Sequence, residues 1–372
     1  MHFNESILID TTDGMQCKAY ANQHPDGKII VKPKYIPSHL LEGEGLKYRF
    51  LFEQKMVRFN LFAKKDKLKV VLENFRKQFP DYIHQSDDHD NWFFVVPENK
   101  IKTIHDPKKG VKQLMSMPKK DLDDYLTLTT DLIELILQSG VTLEDIGITH
   151  STLLGNYTPG KSDIDLIIFG KENAWKVQNF LATAQHPKLR WKTEAEWKEY
   201  YLEHKTSESS HFTEDEYAKH LARKYYEGMF GETVFTLFSV ENEDEVWCKW
   251  GSEKYEPQGV VTIKGKVTDH YNSIVRPGFY ELDPASIQMI NNETGKELPT
   301  PLPITKVVTY SIPFILQAKK GETLEACGLL EKVTPKEGNE DGSKNYYRIV
   351  VGYFDAYTSD RREKEYLKAE IV

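Results

Sequence analysis

The stretch His150–Phe169, HSTLLGNYTPGKSDIDLIIF, decides how the rest of the chain is read. Within it, Gly155-Asn156-Tyr157-Thr158-Pro159-Gly160-Lys161-Ser162 fits the phosphate-loop pattern G-x-x-x-x-G-K-[ST] letter for letter. Such a loop works where a strand runs through it into a helix, whose N-terminus and amides hold the phosphates. After Ser162 the chain instead continues as DIDLIIFG, a short, alternating, β-branched run. It predicts a strand over Asp163–Phe169. Without the helix, Lys161 has no dipole-backed cradle to join, and the aspartates become the informative residues.

On a strand, residues i and i+2 point to the same side, so Asp163 and Asp165 stand together. Two adjacent carboxylates repel each other, and a divalent cation removes that repulsion. Mg²⁺ takes a few carboxylate oxygens and fills its remaining positions with water or substrate phosphates. Upstream, Ser151 closes a predicted strand over Asp145–Thr149, just before a Leu153-Leu154 turn. Its hydroxyl and the local amides are placed to receive phosphate oxygens. A phosphate-binding turn ahead of a carboxylate pair is a nucleotidyl-transfer layout, in which metal positions the triphosphate and stabilises the attacking and leaving oxygens. Lys161 and Ser162 in the turn, and Arg223 and Lys224 ahead of the next strand, are further phosphate candidates; a solvated face is the competing reading for the lysines and Arg223.

Outward from this stretch, Asp121–Ser139 carries Leu122, Tyr125, Leu126, Ile133 and Ile136 on one face of a 3.6-period helix, and Gly140 is a natural stop. Asn173–Ala184 reads as another helix. Residues 188–227 read as two surface helices joined by the polar linker Lys205–Ser210, and Gly228–Gly231 turns into a strand over Thr233–Val240. Residues 1–112 read mostly as strands, among them Lys28–Lys34, Tyr48–Phe52 and Trp92–Val96, with one helix at Lys65–Gln78 that stops before Pro80. Residues 251–372 return to strands at Val260–Val267, Lys306–Tyr310, Glu325–Lys332 and Tyr346–Tyr353, separated by turn-rich stretches such as Pro335–Lys344. Strands without helices between them suggest a small barrel or sandwich. The closing SDRREKEYLKAEIV reads as an exposed tail or helix. The expected fold class is α+β in three domains, 1–112, 113–250 and 251–372.

Strand, serine, short turn and Ser162-Asp163-Ile164-Asp165-Leu166 together resemble the nucleotidyltransferase domain of the DNA polymerase beta superfamily. Its signature is a Gly-Ser pair, a spacer, and D-x-D on the next strand. Ser151 matches the serine, Asp163 and Asp165 match the acidic pair, and the helix Asp121–Ser139 falls where the family places its first helix. The resemblance covers about residues 113–245. The three-part layout looks like that of uncharacterised nucleotidyltransferase-domain proteins. It implies a core of helices on a short mixed sheet, flanked by a β-rich N-terminal domain and a C-terminal small β-barrel similar to oligonucleotide-binding folds. It implies Mg²⁺ on Asp163 and Asp165, an NTP substrate, and transfer of a nucleoside monophosphate to a hydroxyl acceptor. Two departures stand out. His150 occupies the glycine position, where its side chain either crowds the triphosphate or reaches it. The third carboxylate that the family draws from a later strand has no counterpart inside residues 233–240. Glu232 at that strand's start is the candidate taken, with Glu241 just past its end. These departures favour the alternative, a non-catalytic nucleotide- or nucleic-acid-binding module.

Composition bounds the rest. The chain has 372 residues, 39% hydrophobic and 12% aromatic, which argues against global disorder. With 49 Lys and Arg against 57 Asp and Glu, the net charge is −8. That excludes a protein that coats nucleic acid over its whole surface but leaves room for a local basic groove. Tyr346, Tyr347, Tyr353 and Phe354 give the C-terminal barrel a possible RNA or DNA contact by stacking, with core packing as the competing reading. Cys17, Cys248 and Cys327 are scattered, against a disulfide framework or cysteine-rich zinc site and in keeping with a reducing cytoplasm. No run of about 18 apolar residues predicts a membrane span, and MHFNESILIDTTDG lacks a secretory leader pattern. The expected setting is cytoplasmic. His84–Asp90 (HQSDDHD) reads as a solvated loop rather than a metal site, His105-Asp106-Pro107 as a turn, and Trp175, Trp191, Trp197, Trp247 and Trp250 as core.

Overall fold

Alternating apolar and polar residues build the first sheet. The computed structural model describes every residue except 42–45, 52, 60–64, 205, 207–208, 337–344 and 372. Its N-terminal part comprises β1 (Leu8–Thr11), β2 (Gln16–Ala19), β3 (Lys28–Pro37), β4 (Lys47–Leu51), β5 (Gln54–Arg58), α1 (Lys65–Gln78), β6 (Ile83–Ser86), β7 (Asn91–Pro97) and β8 (Ile101–His105). The strands run in the order β4-β5-β3-β2-β1-β8, and β7 joins β3 to β6. Leu68, Leu72 and Phe75 of α1 bury against Phe59, Phe94 and Val57, which covers one face of the sheet. On β3, Lys32 and Lys34 lie two residues apart and so share one face.

The central part begins at Asp106, whose carboxylate accepts from the amides of Lys108 and Lys109 and caps the first helix. Pro107 at the first helical position has no amide to leave unpaired. The elements are α2 (Pro107–Ser116), α3 (Asp124–Leu137), β9 (Ile146–Ile148), α4 (His150–Leu154), β10 (Ile164–Phe169), α5 (Lys171–Leu181), β11 (Leu189–Arg190), α6 (Glu194–Glu203), α7 (Glu214–Ala222), β12 (Glu227–Phe230) and β13 (Thr233–Val240). The sheet order is β11-β12-β13-β10-β9, parallel between β10 and β13 and antiparallel elsewhere. Ile164, Leu166 and Ile168 of β10 face a core shared with Ile133 and Ile136 of α3 and Val177 of α5.

The C-terminal part is β14 (Glu253–Asp269), β15 (Gly278–Leu282), β16 (Gln288–Asn292), β17 (Ile304–Thr309), β18 (Thr323–Pro335), β19 (Tyr346–Val351) and β20 (Tyr366–Ala369). The order is β16-β14-β15-β17-β19-β18-β20, with β14 also pairing along β18. A buried polar joint ties the three parts together. Lys171 Nζ reaches Glu241 Oε1 at 3.1 Å and donates to Asn272 Oδ1 at 2.7 Å, while Asn22 Nδ2 donates to the other Glu241 oxygen.

The chain is therefore a mixed α+β protein with several sheets, as expected. Some expectations change. The turn at His105-Asp106-Pro107 is the capped start of α2. The turn at Gly228–Gly231 is mostly β12, because the Trp191 ring lies over Gly228 at a position where a Cβ would meet it at 2.6 Å. The expected exposed tail includes β20, whose Leu367 and Ala369 are buried as β20 pairs with β18. His89 of the expected solvated loop is buried, hydrogen bonded to Ser86 Oγ at 2.8 Å and stacked against Trp250. Phe52, most of the expected turn-rich stretch at 335–344 and part of the linker at 205–210 lie outside the described residues. Among the described residues, no helix is long and apolar enough to cross a membrane.

Candidate functional site

The turn that carries Ser151 is fixed from three directions. Thr149 donates its amide to the Asp165 carbonyl at 3.1 Å and its hydroxyl to the Ser6 carbonyl at 3.0 Å. The Tyr125 hydroxyl, from α3, donates to the Asp163 carbonyl at 2.8 Å and lies 2.7 Å from Thr152 Oγ1. One buried phenol thus ties α4 to the entry of β10. Gly110 lets α2 approach this turn closely, since a Cβ there would meet Leu153 at 2.5 Å. The loop between is held by its own contacts. The Tyr157 ring stacks on Tyr125 at 4.5 Å, and Thr158 donates its amide to Ser162 Oγ at 2.9 Å. Beyond Ser162 the chain is extended, with Ile164 pairing in parallel with Phe235. The helix that a phosphate loop needs is not there.

A cleft of about 600 Å³ opens at this point, within the size range of small-molecule sites. His150, Ser151, Asn156, Thr158, Lys161, Ser162, Asp163 and Asp165 line one side. The opposite wall comes from the N-terminal sheet: Lys18 on β2, Lys32 and Lys34 on β3, Arg58 on β5 and Arg49 on β4. Arg276 and residues 310–313 of the C-terminal part close the third side. All three parts of the chain build the cleft.

Its electrostatics follow from this placement. Withdrawal from water, and then the neighbouring Asp165 charge, hold the Asp163 carboxyl above its ordinary range, with Lys192 opposing. His150 Nδ1 lies 3.1 Å from Asp165 Oδ2, and its ring meets Phe238 edge-on at 5.3 Å. Burial pushes this imidazole down to about 4, with Asp165 opposing and Lys18 and Lys34 adding to the drop. The ring is neutral at pH 7, with Nδ1–H directed at the carboxylate. Lys18 Nζ stands 4.2 Å over the other ring partner, Phe238. Burial lowers Lys18 to about 8 against the pull of Asp165. Lys34 falls to about 8 through burial and then the repulsion of Lys18, with Arg58 and Arg49 contributing less.

Six of the residues singled out in the sequence therefore meet in one cleft: His150, Ser151, Lys161, Ser162, Asp163 and Asp165. Three do not. Glu232 is exposed in the tight turn between β12 and β13 and does not line the cleft. Arg223 is bound to Glu322 and to the Gln317 carbonyl. Lys224 is buried, donating to the Pro313 carbonyl at 2.6 Å and to Gln317 Oε1 at 2.5 Å. Both basic residues anchor the C-terminal part to α7 instead of facing solvent. Glu241 is buried in the joint with Lys171. The acid nearest to the expected third position is Glu227. It pairs laterally with Thr236, which pairs with Asp165, so the three share a row across the sheet. Two strand spacings put it about 10 Å from Asp165. Lys192 Nζ approaches Glu227 at 3.5 Å and also lies within electrostatic reach of Asp163. Burial holds the Glu227 carboxyl above its usual range, with the two aspartates adding to the rise.

Among the described residues, no group of three or more His, Cys, Asp and Glu side chains could hold a metal ion. Mg²⁺ does not require one, since one or two carboxylates plus substrate phosphates suffice. The Asp163 carboxylate, raised by partial burial and then by Asp165, and without an ion-pair partner among the described residues, suits that role.

Comparison with known proteins gives a likeness that extends over nearly the whole chain. The chain is 25% identical over 366 residues to an uncharacterized protein of Methanocaldococcus jannaschii, covering 97% of each chain. No protein-family model matches the chain. No solved structure matches it.

Proposed function

We propose that this protein is a Mg²⁺-dependent nucleotidyltransferase that moves a nucleoside monophosphate from an NTP to a hydroxyl acceptor, built on a polymerase-beta-like core. One observation carries the reading: β10 is extended, and Asp163, Asp165 and Ser151 line the same cleft. Asp163 and Asp165 would hold the ion, which when bound neutralises the triphosphate and stabilises charge on the attacking and leaving oxygens. Ser151 and Lys161 receive the β- and γ-phosphates. The acceptor oxygen forms a bond to the α-phosphorus as the bond from that phosphorus to the β-bridging oxygen breaks. Pyrophosphate leaves, and the proton of the acceptor hydroxyl passes to solvent water. With a pKa near 4, His150 is a weak base; its place is to position the Asp165 carboxylate. A second cavity of about 220 Å³, lined by Tyr200, His204, Phe212 and Tyr217, shares Pro313 with the cleft and suits a nucleobase. The additional pairing of β14 with β18 supports the small-barrel reading of the C-terminal part.

The second reading, a binding module without transfer, is favoured by two contacts. Asp165 is already engaged by His150, and Glu227 by Lys192. Incubation with α-labelled NTPs, Mg²⁺ and mixed RNA, protein and small-molecule acceptors separates the two. Label transfer that is lost in Asp163→Asn establishes the enzyme. Mg²⁺-dependent NTP binding without label transfer to any acceptor establishes the module.

A further inference from the structure

The wall facing Asp163 and Asp165 is more basic than a single NTP requires. Seven basic side chains and two carboxylates line the cleft. Arg276 is committed to Glu5, and Lys161 stands on the Ser151 side. The remaining five, Lys18, Lys32, Lys34, Arg58 and Arg49, belong to four strands that are neighbours in the sheet. Lys18 pairs laterally with Lys32, Arg58 pairs with Tyr35 next to Lys34, and β4 with Arg49 is the sheet edge. At the usual strand spacing the row is about 14 Å across, longer than one triphosphate tail. Among the described residues, no carboxylate makes an ion pair with Lys18, Lys34, Arg49 or Arg58. Like charges gathered in one row raise its energy, and an anion with repeated charges relieves it.

We propose that this wall is the docking surface for a single-stranded polynucleotide, whose end is presented to the Asp163–Asp165 pair as the acceptor. The second half of that statement rests on the transfer reaction proposed above; the docking itself does not. A single strand fits better than a duplex, since the wall lines a cleft enclosed on three sides. With a net charge of −8 over the whole chain, a polyanion is attracted to local basic surfaces such as this wall.

The test uses the full-length protein and fluorescence anisotropy with labelled twelve-residue oligo(U) RNA, oligo(dT) DNA and a blunt duplex of equal length. Arg49 and Arg58 are exposed, so Arg49→Ala/Arg58→Ala keeps the fold, checked by thermal melting. Single strands bind, and the slope of log K against log salt is about −3 for four to five phosphates. The double variant binds at least about tenfold more weakly, with the slope reduced by about 1.4. A preference for RNA or for DNA identifies the sugar and supports the proposal in either case. Three results overturn it: no single-strand binding at low salt, tighter binding of the duplex, or a double variant with unchanged affinity and slope. Mg²⁺-dependent NTP binding is measured alongside. Strand binding without NTP binding keeps the wall and removes the transfer reading, and NTP binding without strand binding does the reverse.

Discussion

His150 Nδ1 meets Asp165 Oδ2 at 3.1 Å, and it does so from a backbone at φ +51, a region that favours glycine. The contact keeps one carboxylate oxygen of the proposed metal-binding pair occupied by a proton donor. His150→Gly relieves the backbone and frees that oxygen, but it also empties the ring's place against Phe238. The expected outcome is a lower melting temperature together with tighter Mg²⁺ or Mn²⁺ binding, read by titration calorimetry. Weaker metal binding in the variant would instead make His150 itself a ligand.

Tyr125 is the brace of the site. Tyr125→Phe removes the hydroxyl that serves Thr152 and the Asp163 carbonyl. The loss is about 1–3 kcal/mol, since the buried Thr152 hydroxyl and the part-buried Asp163 carbonyl both lose their partner. Chemical denaturation should show this cost. NTP affinity should fall with it, because Ser151 and Asp163 lose their common anchor.

Anion binding by the cleft should weaken with rising pH. Lys18 and Lys34 both lie at about 8, below the ordinary lysine value. Both are charged at pH 7 and lose their charge as pH rises through about 8. Binding of an oligonucleotide is expected to be flat below roughly pH 7.5 and to decline by roughly pH 9. A constant affinity across that range would mean these lysines do not contact the anion.

Folding stability should fall on mild acidification. His24 Nδ1 accepts the Ile30 amide while Nε2 donates to the Phe3 carbonyl, and His220 Nε2 accepts the Ala369 amide while Nδ1 donates to the Glu216 carbonyl. Both rings are buried and locked in the neutral form, and burial lowers each to about 4. The unfolded rings titrate near 6.5, so the unfolded state binds more protons below that value. Stability is complete above about pH 6.5 and is lost toward pH 4, at up to about 3 kcal/mol per ring. Melting curves from pH 7 to 4.5 read the effect, and His220→Gln should flatten the slope.

The elements that were legible in the sequence are those with local signals. Helix α1 matches its expected span because its apolar face and the following Pro80 are contiguous in the chain. The D-x-D strand was legible from alternation and the absence of a helix after Ser162. The basic wall was not, because its members lie on four strands, and only the pairing of β2, β3, β5 and β4 brings Lys18 beside Lys32 and Arg58 beside Lys34. Runs such as Lys32-Pro33-Lys34 and Lys47-Tyr48-Arg49 carried the only hint, basic residues at a spacing of two. Glu227 escaped for a related reason. Two flanking glycines resemble a turn, and the Trp191 ring that makes Gly228 fit a strand comes from elsewhere in the chain. Arg223 and Lys224 looked like phosphate ligands by position, but Glu322 and Gln317, about a hundred residues later, claim them.

Titration calorimetry of Mg²⁺ and an NTP, each alone and together, against the wild-type chain and Asp163→Asn/Asp165→Asn tests the proposed site most directly. The NTP is expected to bind the wild type only with the cation present, and the double variant to lose that dependence along with most of the affinity. Equal, cation-independent binding by both proteins, or no NTP binding by the wild type, would contradict the assignment of this cleft.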